Sequence, residues 1–499
     1  MKKTSLYTIT LSLLLATVFA ANSSVYINEN QKGEVLLFPF YTVVNGLNTL
    51  ISINNTQGDK AIKVTIRESK ESARLLSFNL FLKSNDTWTG ALTEQAGKVF
   101  LLTSDKSCTS LGHTLPLTQE LLTFELDPDE LLTIQERLER MEIGSIEVFE
   151  MGSVVENDNF LHEGIRDNAC EFLLEQYAIG GQWGDDLNNG TVFAPVSGGL
   201  HGSATVIDVE NGFSFDTPVL HFDNFYPEGT VFHTRPEDGL PDLSSGDTTS
   251  LIIDAGRVYE TRWPTGYEAI SALLMKSTVE NEFDVSSEIA AVTEWIYSFP
   301  TLRFYINNDV HVGSFVFAEN DSTAFRFPYP YGIYPNSIGV GGDGGQSDSM
   351  HDREGFSMNP YIGCGIICPP ATRLYLSSSL IIQSFVNTTD EEWWKGHSLL
   401  GGSYSKGNIF VSNFNAFELD DSRYFTGKMQ LRLAEGNYSA PTLRGVDVHT
   451  NQPVEYQGLP VTGFAFYRYV NANAQPGLLA NYATTKPHYG DHSIKETND

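Results

Sequence analysis

The first part of the chain is dominated by short segments in which apolar and polar residues alternate. Residues 61–67 alternate over seven positions and residues 49–53 over five, while residues 35–38 form a continuous apolar run that ends at Pro39. Alternation with period two is typical of a strand with one buried face, and turn-forming residues separate these segments every 8–12 positions or so. The pattern predicts an all-β fold, and the turn spacing favours two β-sandwich domains of the immunoglobulin-like type.

Only a few segments have helical periodicity. Asp127 and Pro128 suit the first turn of a helix, and an apolar stripe with helical spacing then extends to Met141. Residues 169–177 are a second candidate helix. We interpret both as short insertions between strands, and the stripe as core packing rather than a groove for a partner.

A segment rich in Pro, Gly, Asp and Ser interrupts the strand pattern near the middle of the chain. It has no sustained periodicity and is typical of a loop or linker. Strand patterns resume after it, and 303–306, 374–386 and 463–470 are among the predicted strands. The predicted parts are a signal peptide (1–20), an N-terminal β-sandwich domain with helical insertions (21–222), a linker or loop (223–249), a C-terminal β-sandwich domain (250–482) and a polar tail (483–499).

The N-terminus has the pattern of a secretory signal peptide. Lys2 and Lys3 precede a mostly apolar stretch, 6–19, and Val18 and Ala20 suit the −3 and −1 positions of a cleavage site. The apolar run is too short to span a bilayer, and no other segment approaches about 18 consecutive apolar residues. We therefore expect cleavage after Ala20, no transmembrane segment in the mature chain, and a periplasmic, cell-surface or extracellular location.

The balance of charge narrows the possible partners. The 499 residues carry 62 Asp and Glu against 31 Lys and Arg, which gives a formal net charge of −31. A protein that neutralises phosphates needs a basic surface, so this composition argues against nucleic-acid binding. With 41% hydrophobic and 12% aromatic residues, the chain is also too apolar for a disordered protein. A protein or glycan surface is the expected partner.

Linear catalytic motifs are missing from the sequence. It contains no G-x-S-x-G nucleophile elbow, no P-loop and no H-E-x-x-H zinc motif. Two carboxylates that meet in a cleft could hydrolyse a glycoside, but this requires a defined separation that a sequence does not reveal. No catalytic residue is therefore assigned.

Three classes of function remain open on this basis. The first is a non-catalytic secreted or cell-surface protein for adhesion, binding or envelope assembly. The second is a secreted hydrolase that acts on polysaccharide or peptide. A third, weaker interpretation is a fibre subunit that adds the strand near Val25 to the sheet edge of a neighbouring copy.

Four cysteines predict a covalent framework. An even number of cysteines in an exported chain indicates two disulfides, here among Cys108, Cys170, Cys364 and Cys368. The expected linker separates the two pairs, which favours Cys108–Cys170 and Cys364–Cys368 over the other two connectivities. A zinc site is disfavoured because these cysteines do not form paired C-x-x-C motifs.

An acidic, glycine-rich segment suggests a metal site. Asp343, Asp348 and Asp352 lie within or just after a run of glycines and could supply oxygen ligands to Ca²⁺. The spacing differs from that of an EF-hand, and solvated acidic loops are common. Weak calcium binding is the only cofactor interaction that the sequence suggests.

A pair of tryptophans and a pair of histidines are further candidates for ligand or metal binding. Trp393 and Trp394 could stack on a ligand such as a sugar, although neighbouring strand residues point to opposite faces and leave at most one of them exposed. His488 and His492 have the i, i+4 spacing of a metal pair on a helix, but Pro and Gly nearby argue against a helix there. We favour packing roles for the tryptophans and no metal at the histidines.

Several segments together resemble a protein family. They are 33–56, 143–152 (IGSIEVFEMG), 293–301 (TEWIYSFPT), 458–464 (GLPVTGF) and 479–482 (LANY). They are similar to an uncharacterised family of secreted, β-rich proteins of Gram-negative bacteria, and they span most of the mature chain. The resemblance implies export and one recurrent architecture, and it supplies no catalytic residue.

Overall fold

A computed structural model gives the architecture of the protein. It describes residues 24–112, 114–122, 134–155, 169–184, 192–306, 349–356, 378–387, 398–401, 414–419, 425–434, 441–471 and 480–496. Within these ranges the chain is mostly β-strand, with four short α-helices and the 3₁₀ turns Val44–Gly46 and Ser287–Ile289.

The strands lie along the whole described chain. Up to the middle of the chain they are β1 Tyr26–Ile27, β2 Val35–Thr42, β3 Leu47–Asn55, β4 Lys60–Glu68, β5 Arg74–Leu82, β6 Asp86–Gln95, β7 Lys98–Thr103, β8 Cys108–Thr109, β9 Leu117–Glu120, β10 Ile143–Val154, β11 Phe193–Ala194, β12 Leu200–Asp208, β13 Phe213–Thr217 and β14 Leu220–Asp223. The later strands are β15 Thr249–Asp254, β16 Arg257–Arg262, β17 Met275–Lys276, β18 Thr278–Asp284, β19 Val292–Ser298, β20 Ser349–Asp352, β21 Leu380–Asn387, β22 Phe414–Leu419, β23 Thr426–Arg432, β24 Thr442–Asp447, β25 Pro453–Gln457, β26 Leu459–Pro460, β27 Thr462–Val470, β28 Asn481–Pro487 and β29 Ile494–Glu496.

The helices are short and lie between strands. Their bounds are α1 Ile134–Met141, α2 Cys170–Glu175, α3 Gly266–Leu274 and α4 Leu302–Ile306. Helix α3 is buried along its whole length and is capped at its N-terminus by Thr265, whose hydroxyl accepts a hydrogen bond from the Glu268 amide. This hydroxyl replaces one of the backbone partners that the first turn of a helix lacks.

The early strands form two sheets around a common core. The strand order is β1-β14-β2-β10-β4-β5-β8 in the first sheet, with β11 paired to β10, and β13-β12-β3-β6-β7-β9 in the second. Alternate residues of β4, such as Ile62 and Val64, share a core with Ile53 and Trp88 of the second sheet. The period-two pattern of the sequence therefore selects the inner face of each sheet.

The opposite face of the first sheet is covered as well. Ala61 and Phe81 on that face pack with Cys170, Trp183 and Phe193 from the connections that follow β10. As a result, all nine residues of β4 are buried, including its charged ones. The expectation of a half-buried strand at 61–67 is wrong at this point, because segments distant in sequence cover its polar face.

The later strands form four smaller sheets. Their orders are β15-β16-β24-β25-β29, β17-β26, β18-β23-β20 and β22-β21-β19-β27-β28. The parallel pair β21–β22 is the exception in the described part of the chain, where the other strand pairs are antiparallel. The all-β prediction is confirmed.

Hydrophobic cores join the early and the late strands. Leu37 and Phe149 of the first sheet belong to the same core as Trp295 and Leu443. The 223–249 segment, expected as a linker, contributes to this core through Phe225, Tyr226 and Leu243, each at most 2% exposed. The 223–249 segment is polar in overall composition but contains a few large apolar side chains. These side chains hold it in the core.

Other predicted elements differ from the structure in detail. Residues 303–306, predicted as a strand, lie in α4, and an apolar run this short does not distinguish a strand from a buried helix. The second candidate helix corresponds to α2, and the first is described only from Ile134 onward, as α1. In the segment expected as a polar tail, β28 pairs with β27 and β29 pairs with β25.

Candidate functional site

Acidic side chains converge near the end of β10, where a buried ion pair lies under a glycine turn. The Lys60 ammonium is 2.7 Å from Oε1 of Glu150, and both side chains are fully buried. Glu150 also accepts hydrogen bonds from the amides of Ser197 and Gly198 at 2.9 and 2.8 Å. A buried carboxylate is stable only when such donors replace its hydration, and Glu150 has them on both oxygens.

Two more carboxyl groups lie close to the glycine turn. A Cβ atom on Gly198 would lie 3.2 Å from Oδ1 of Asp223 and 3.8 Å from Cγ of Glu34, so both groups border this residue. Gly198 has φ +72, a left-handed conformation that favours glycine. We call Glu34, Glu150 and Asp223 the carboxylate cluster.

The titration of Glu34 is shifted by its surroundings. Burial raises the pKa of Glu34 to about 7, and the nearby negative charges of Glu150 and Asp223 act in the same direction. The amide of Tyr226 donates to Oε2 of Glu34 at 3.0 Å and partly opposes this shift. Near neutral pH this carboxyl group is therefore able both to donate and to accept a proton.

Asp223 has a different environment. Its Oδ2 accepts hydrogen bonds from the Tyr26 hydroxyl at 2.9 Å and from the Asn28 side-chain amide at 3.0 Å. The three residues are half-buried, so this side of the cluster reaches solvent. Burial and the neighbouring Asp223 raise the pKa of Tyr26 to about 12, which keeps its hydroxyl a donor. A proton-exchanging group beside a solvated carboxylate is an arrangement that acid–base catalysis uses.

A second group of buried charged side chains forms ion pairs within the protein. Glu147 on β10 binds Arg67 at 2.8 Å and Arg303 at 2.6 Å, and the other end of Arg303 lies 3.5 Å from Asp242. The two arginines lower the pKa of Glu147 despite its complete burial. This network links the first sheet to α4 and to the 223–249 segment, and its role is structural.

The outer face of the β15–β29 sheet has aliphatic side chains where an exposed strand face normally carries polar ones. Ile253 is 71% exposed and lies opposite Val258, which is 60% exposed, next to the two-residue turn Ala255–Gly256. Val446 is 37% exposed and pairs with the exposed Pro453 on the same face. We call these four residues, Ile253, Val258, Val446 and Pro453, the aliphatic face. Charged residues share this face: Arg262 lies opposite Val446, and Arg444 forms an ion pair with Glu455. Exposed aliphatic side chains rimmed by polar ones are found at binding surfaces.

Of the predicted disulfides, one falls on described residues. The sulfur atoms of Cys108 and Cys170 lie within disulfide distance, and their Cα atoms are 5.0 Å apart, a normal separation for a disulfide. The bond would attach α2 to the edge strand β8. Cys364 and Cys368 lie outside the described residues, and their pairing stays a prediction.

The predicted ligand-binding residues are largely outside the described ranges. This holds for Asp343 and Asp348 of the calcium site and for both Trp393 and Trp394. Asp352 lies at the end of β20, and its Oδ1 accepts hydrogen bonds from the amides of Glu354 and Phe356 at 3.0 and 2.8 Å. Calcium binding therefore stays a prediction.

The two late histidines do not lie on a helix. His488 directly follows β28, and its ring stacks on Tyr297 while Nε2 lies 3.0 Å from the carbonyl oxygen of Ile296. Burial lowers the pKa of His488 to about 3, so the ring is neutral. Across the described ranges, no group of three or more His, Cys, Asp or Glu side chains is arranged to hold a metal ion.

Sequence reasoning did not find the carboxylate cluster. Glu34, Glu150 and Asp223 lie far apart in sequence and precede or end ordinary strand patterns. One signal was present: acidic residues recur within the otherwise apolar stretch 143–152, as lysines do within β4. Charged residues inside such apolar strands predict buried ion pairs rather than solvated surface.

Comparison with known proteins gives no relative from which a role of these residues follows. In the part of the chain that the structure describes, no helix is long and apolar enough to cross a membrane. The chain matches no model of a known protein family, no curated protein and no solved structure.

Proposed function

We propose that the protein is exported and acts as a non-catalytic binding protein, in adhesion, surface binding or envelope assembly. The observation that carries this proposal is the aliphatic face, in which Ile253 and Val258 are more than half exposed on opposite strands of one hairpin. Water contact with such side chains is unfavourable, and a partner surface that covers them gains the corresponding free energy. A protein or glycan surface is the proposed partner.

The state of the buried carboxylates supports a binding role over a catalytic one. Glu147 and Glu150 are fully occupied by cations and amides. Glu294 accepts hydrogen bonds from Ser384, Ser398 and two backbone amides. Groups held in this way stabilise the fold and have no free oxygen for a substrate.

Export is the second part of the proposal. It is supported by the signal-peptide pattern at the N-terminus, by the disulfide-distance pair Cys108 and Cys170, and by the resemblance to secreted Gram-negative proteins. The immunoglobulin-like arrangement of the sandwich domains belongs to the same proposal. Periplasmic, cell-surface and extracellular locations all provide the oxidising conditions that such a pair needs.

The binding role is tested with the full-length mature chain. Fluorescently labelled protein is titrated onto intact Gram-negative cells and onto an immobilised glycan panel, and we expect saturable binding to one of them. The double variant Ile253→Ser/Val258→Ser should weaken that binding by about tenfold or more. Val209→Ser is the matched control, because Val209 is 77% exposed and lies in the turn between β12 and β13, away from the aliphatic face. Absence of saturable binding, or an equal loss in both variants, contradicts the proposal.

Hydrolysis is the second candidate function. The specific observation in its favour is Glu34. Its pKa is raised to about 7, and its side chain lies near that of the half-buried Asp223. Glycoside hydrolysis uses two neighbouring carboxyl groups, of which one, here Glu34, holds a proton near neutral pH. The test is release of reducing ends from a polysaccharide panel and of peptides from a casein digest. Activity that Glu34→Gln and Asp223→Asn both abolish, while the folded structure is retained, would replace the binding proposal.

The fibre interpretation has less support. The strand near Val25 is used inside the chain, because Val25 pairs with Ser250 and the following strand β1 pairs with β14. A donated strand would have to leave both partners. Size-exclusion chromatography that shows concentration-dependent polymers would favour this third candidate.

A further inference from the structure

Lys63 and Asn79 are directly opposite each other on adjacent strands. They are register partners in the antiparallel pair β4–β5, and neither is exposed to solvent. Cross-strand partners place their side chains on the same face of the sheet, with Cβ atoms about 5 Å apart. Lysine and asparagine are both rarely buried, so a fully buried pair of them needs an explanation.

The ends of the two side chains meet the same short piece of backbone. The Lys63 ammonium donates to the carbonyl oxygens of Arg235 and, at 3.3 Å, of Pro236. The Asn79 Nδ2 donates to the carbonyl oxygen of Thr234 at 2.8 Å. Because these three carbonyl groups are consecutive, the amine and the amide lie side by side above the sheet.

Lys63 has no carboxylate partner among the described residues, unlike Lys60 on the same strand, which is paired with Glu150. Burial lowers the pKa of Lys63 to about 7, and the more distant Asp238 and Glu237 compensate only in part. A large fraction of this amine is therefore unprotonated at neutral pH. An unprotonated lysine amine in an apolar site is a nucleophile.

The Asn79 side chain has a carbonyl oxygen without a hydrogen bond from the described residues and an amide nitrogen held by a tyrosine hydroxyl. Its Oδ1 is buried with no hydrogen-bond partner in the described structure. Its Nδ2 donates to the Tyr177 hydroxyl at 2.6 Å, and that hydroxyl lies 2.8 Å from Nε2 of His233. Tyr177 and His233 thus form a hydroxyl–imidazole pair at the nitrogen that would leave.

We propose that Lys63 and Asn79 form an intramolecular isopeptide bond that joins β4 to β5. The Lys63 nitrogen attacks Cγ of Asn79, the new C–N amide bond forms, and the Cγ–Nδ2 bond breaks. One proton passes from the Lys63 nitrogen to Nδ2, with Tyr177 and His233 as the relay, and ammonia leaves. No oxidant, reductant or cofactor takes part, since one amide is exchanged for another.

The surroundings favour this reaction and protect its product. Trp183 and Phe193 pack against His233 beside the pair, and the fold holds both reacting groups in place, which replaces a bimolecular encounter by an intramolecular one. Water is excluded, so the new amide is not hydrolysed. The bond would lock two neighbouring strands of the first sheet covalently.

The mass of the intact protein tests the proposal. Purified mature protein should be lighter than its oxidised sequence mass by one molecule of ammonia, and digestion should give a branched peptide that contains Lys63 and Asn79. Lys63→Met and Asn79→Ala should each remove the branched peptide. The matched controls Lys32→Met and Asn30→Ala change exposed residues of the same types and should keep it.

Two results would overturn the proposal. One is an intact mass with no loss of ammonia. The other is recovery of Lys63 and Asn79 in separate linear peptides from the folded wild-type protein. If Lys63→Met or Asn79→Ala fails to fold, the wild-type mass and peptide map still decide the question. Loss of ammonia at another site, such as an Asn-Gly sequence, is distinguished by the absence of the branched peptide.

Discussion

At the scale of single residues, burial of charge is the main property of this protein. Glu34, Lys63 and His488 all have pKa values that burial shifts toward the neutral form, while Glu147 is held ionised by two arginines. Such groups make the stability dependent on pH, because the folded and unfolded states bind different numbers of protons.

Glu34 allows a direct test of this dependence. Its pKa is 4.5 in the unfolded reference and about 7 in the folded protein, so between these values the folded state holds a proton that the unfolded state has lost. The free energy of unfolding therefore falls as pH rises through this window, by roughly 3 kcal/mol from this group. Glu34→Gln removes that fall.

Urea unfolding of both proteins at about pH 5 and about pH 8 measures the difference. We expect the unfolding free energy of the variant, relative to that of the wild type, to be higher at about pH 8 than at about pH 5. The exposed Glu29→Gln is the control and should follow the wild type. Parallel pH profiles for wild type and Glu34→Gln would show that Glu34 titrates normally.

Glu294 is a second residue with a large predicted effect. Its carboxylate accepts hydrogen bonds from Ser384 Oγ at 2.6 Å, Ser398 Oγ at 3.1 Å and the amides of Leu399 and Leu400 at 2.9 and 3.0 Å. Glu294→Ala leaves these donors buried without an acceptor, and we expect a loss of about 3 kcal/mol in unfolding free energy. The exposed Glu288→Ala should change it by less than about 0.5 kcal/mol. A similarly small effect at Glu294 would mean that the 398–401 turn relaxes to bind water.

At the scale of elements, the sequence predicted where strands lie better than which segments pack against them. The alternation at 61–67 identified β4 correctly, since alternation depends on one face of the sheet. It did not reveal that residues from 169–184, 192–194 and 223–249 cover the other face, because such packing depends on contacts across long stretches of sequence. The carboxylate cluster and the Lys63–Asn79 pair escaped sequence reasoning for the same reason.

The bond between Cys108 and Cys170 is the element-scale prediction. The two cysteines are 62 positions apart, and closing a loop of this length contributes about 4 kcal/mol by constraining the unfolded chain. Cys108→Ser/Cys170→Ser should therefore lower the unfolding free energy by about this amount and detach α2 from β8. The predicted Cys364–Cys368 bond closes a much shorter loop. Cys364→Ser/Cys368→Ser should therefore lower the unfolding free energy by less, about 2 kcal/mol. Equal losses, or free thiols at Cys108 and Cys170 in the native protein, would contradict this.

At the scale of the whole molecule, the early and late strands are not independent. One core contains Phe40 and Ile143 together with Ile296 and Phe464, and the ion pair of Glu147 with Arg303 joins the same halves. The composition of 223–249 predicted a boundary between two domains, but a polar segment does not reveal whether the two sides pack together. Large apolar surfaces shared between halves normally make them unfold together.

We therefore expect one cooperative unfolding transition. Far-ultraviolet circular dichroism and tryptophan fluorescence should give coincident unfolding curves in urea. A fragment of residues 21–249 should not fold by itself. Two separated transitions, or a stable folded 21–249 fragment, would show that the shared cores contribute little. The oxidised protein is used throughout, so that disulfide exchange does not complicate the curves.

The pairing of the first described residues has a consequence for how the protein is made. Val25 pairs with Ser250, and the Ser24 hydroxyl donates to Glu260, 236 positions later in the chain. A ribosome or a translocation channel delivers the N-terminal residues first, so this strand emerges long before its partners. The contact order of the fold is correspondingly high, and structures of this type form slowly. The contacts of Ser24 and Val25 therefore cannot form until residue 260 has emerged, and the N-terminal strand stays exposed to wrong contacts until then.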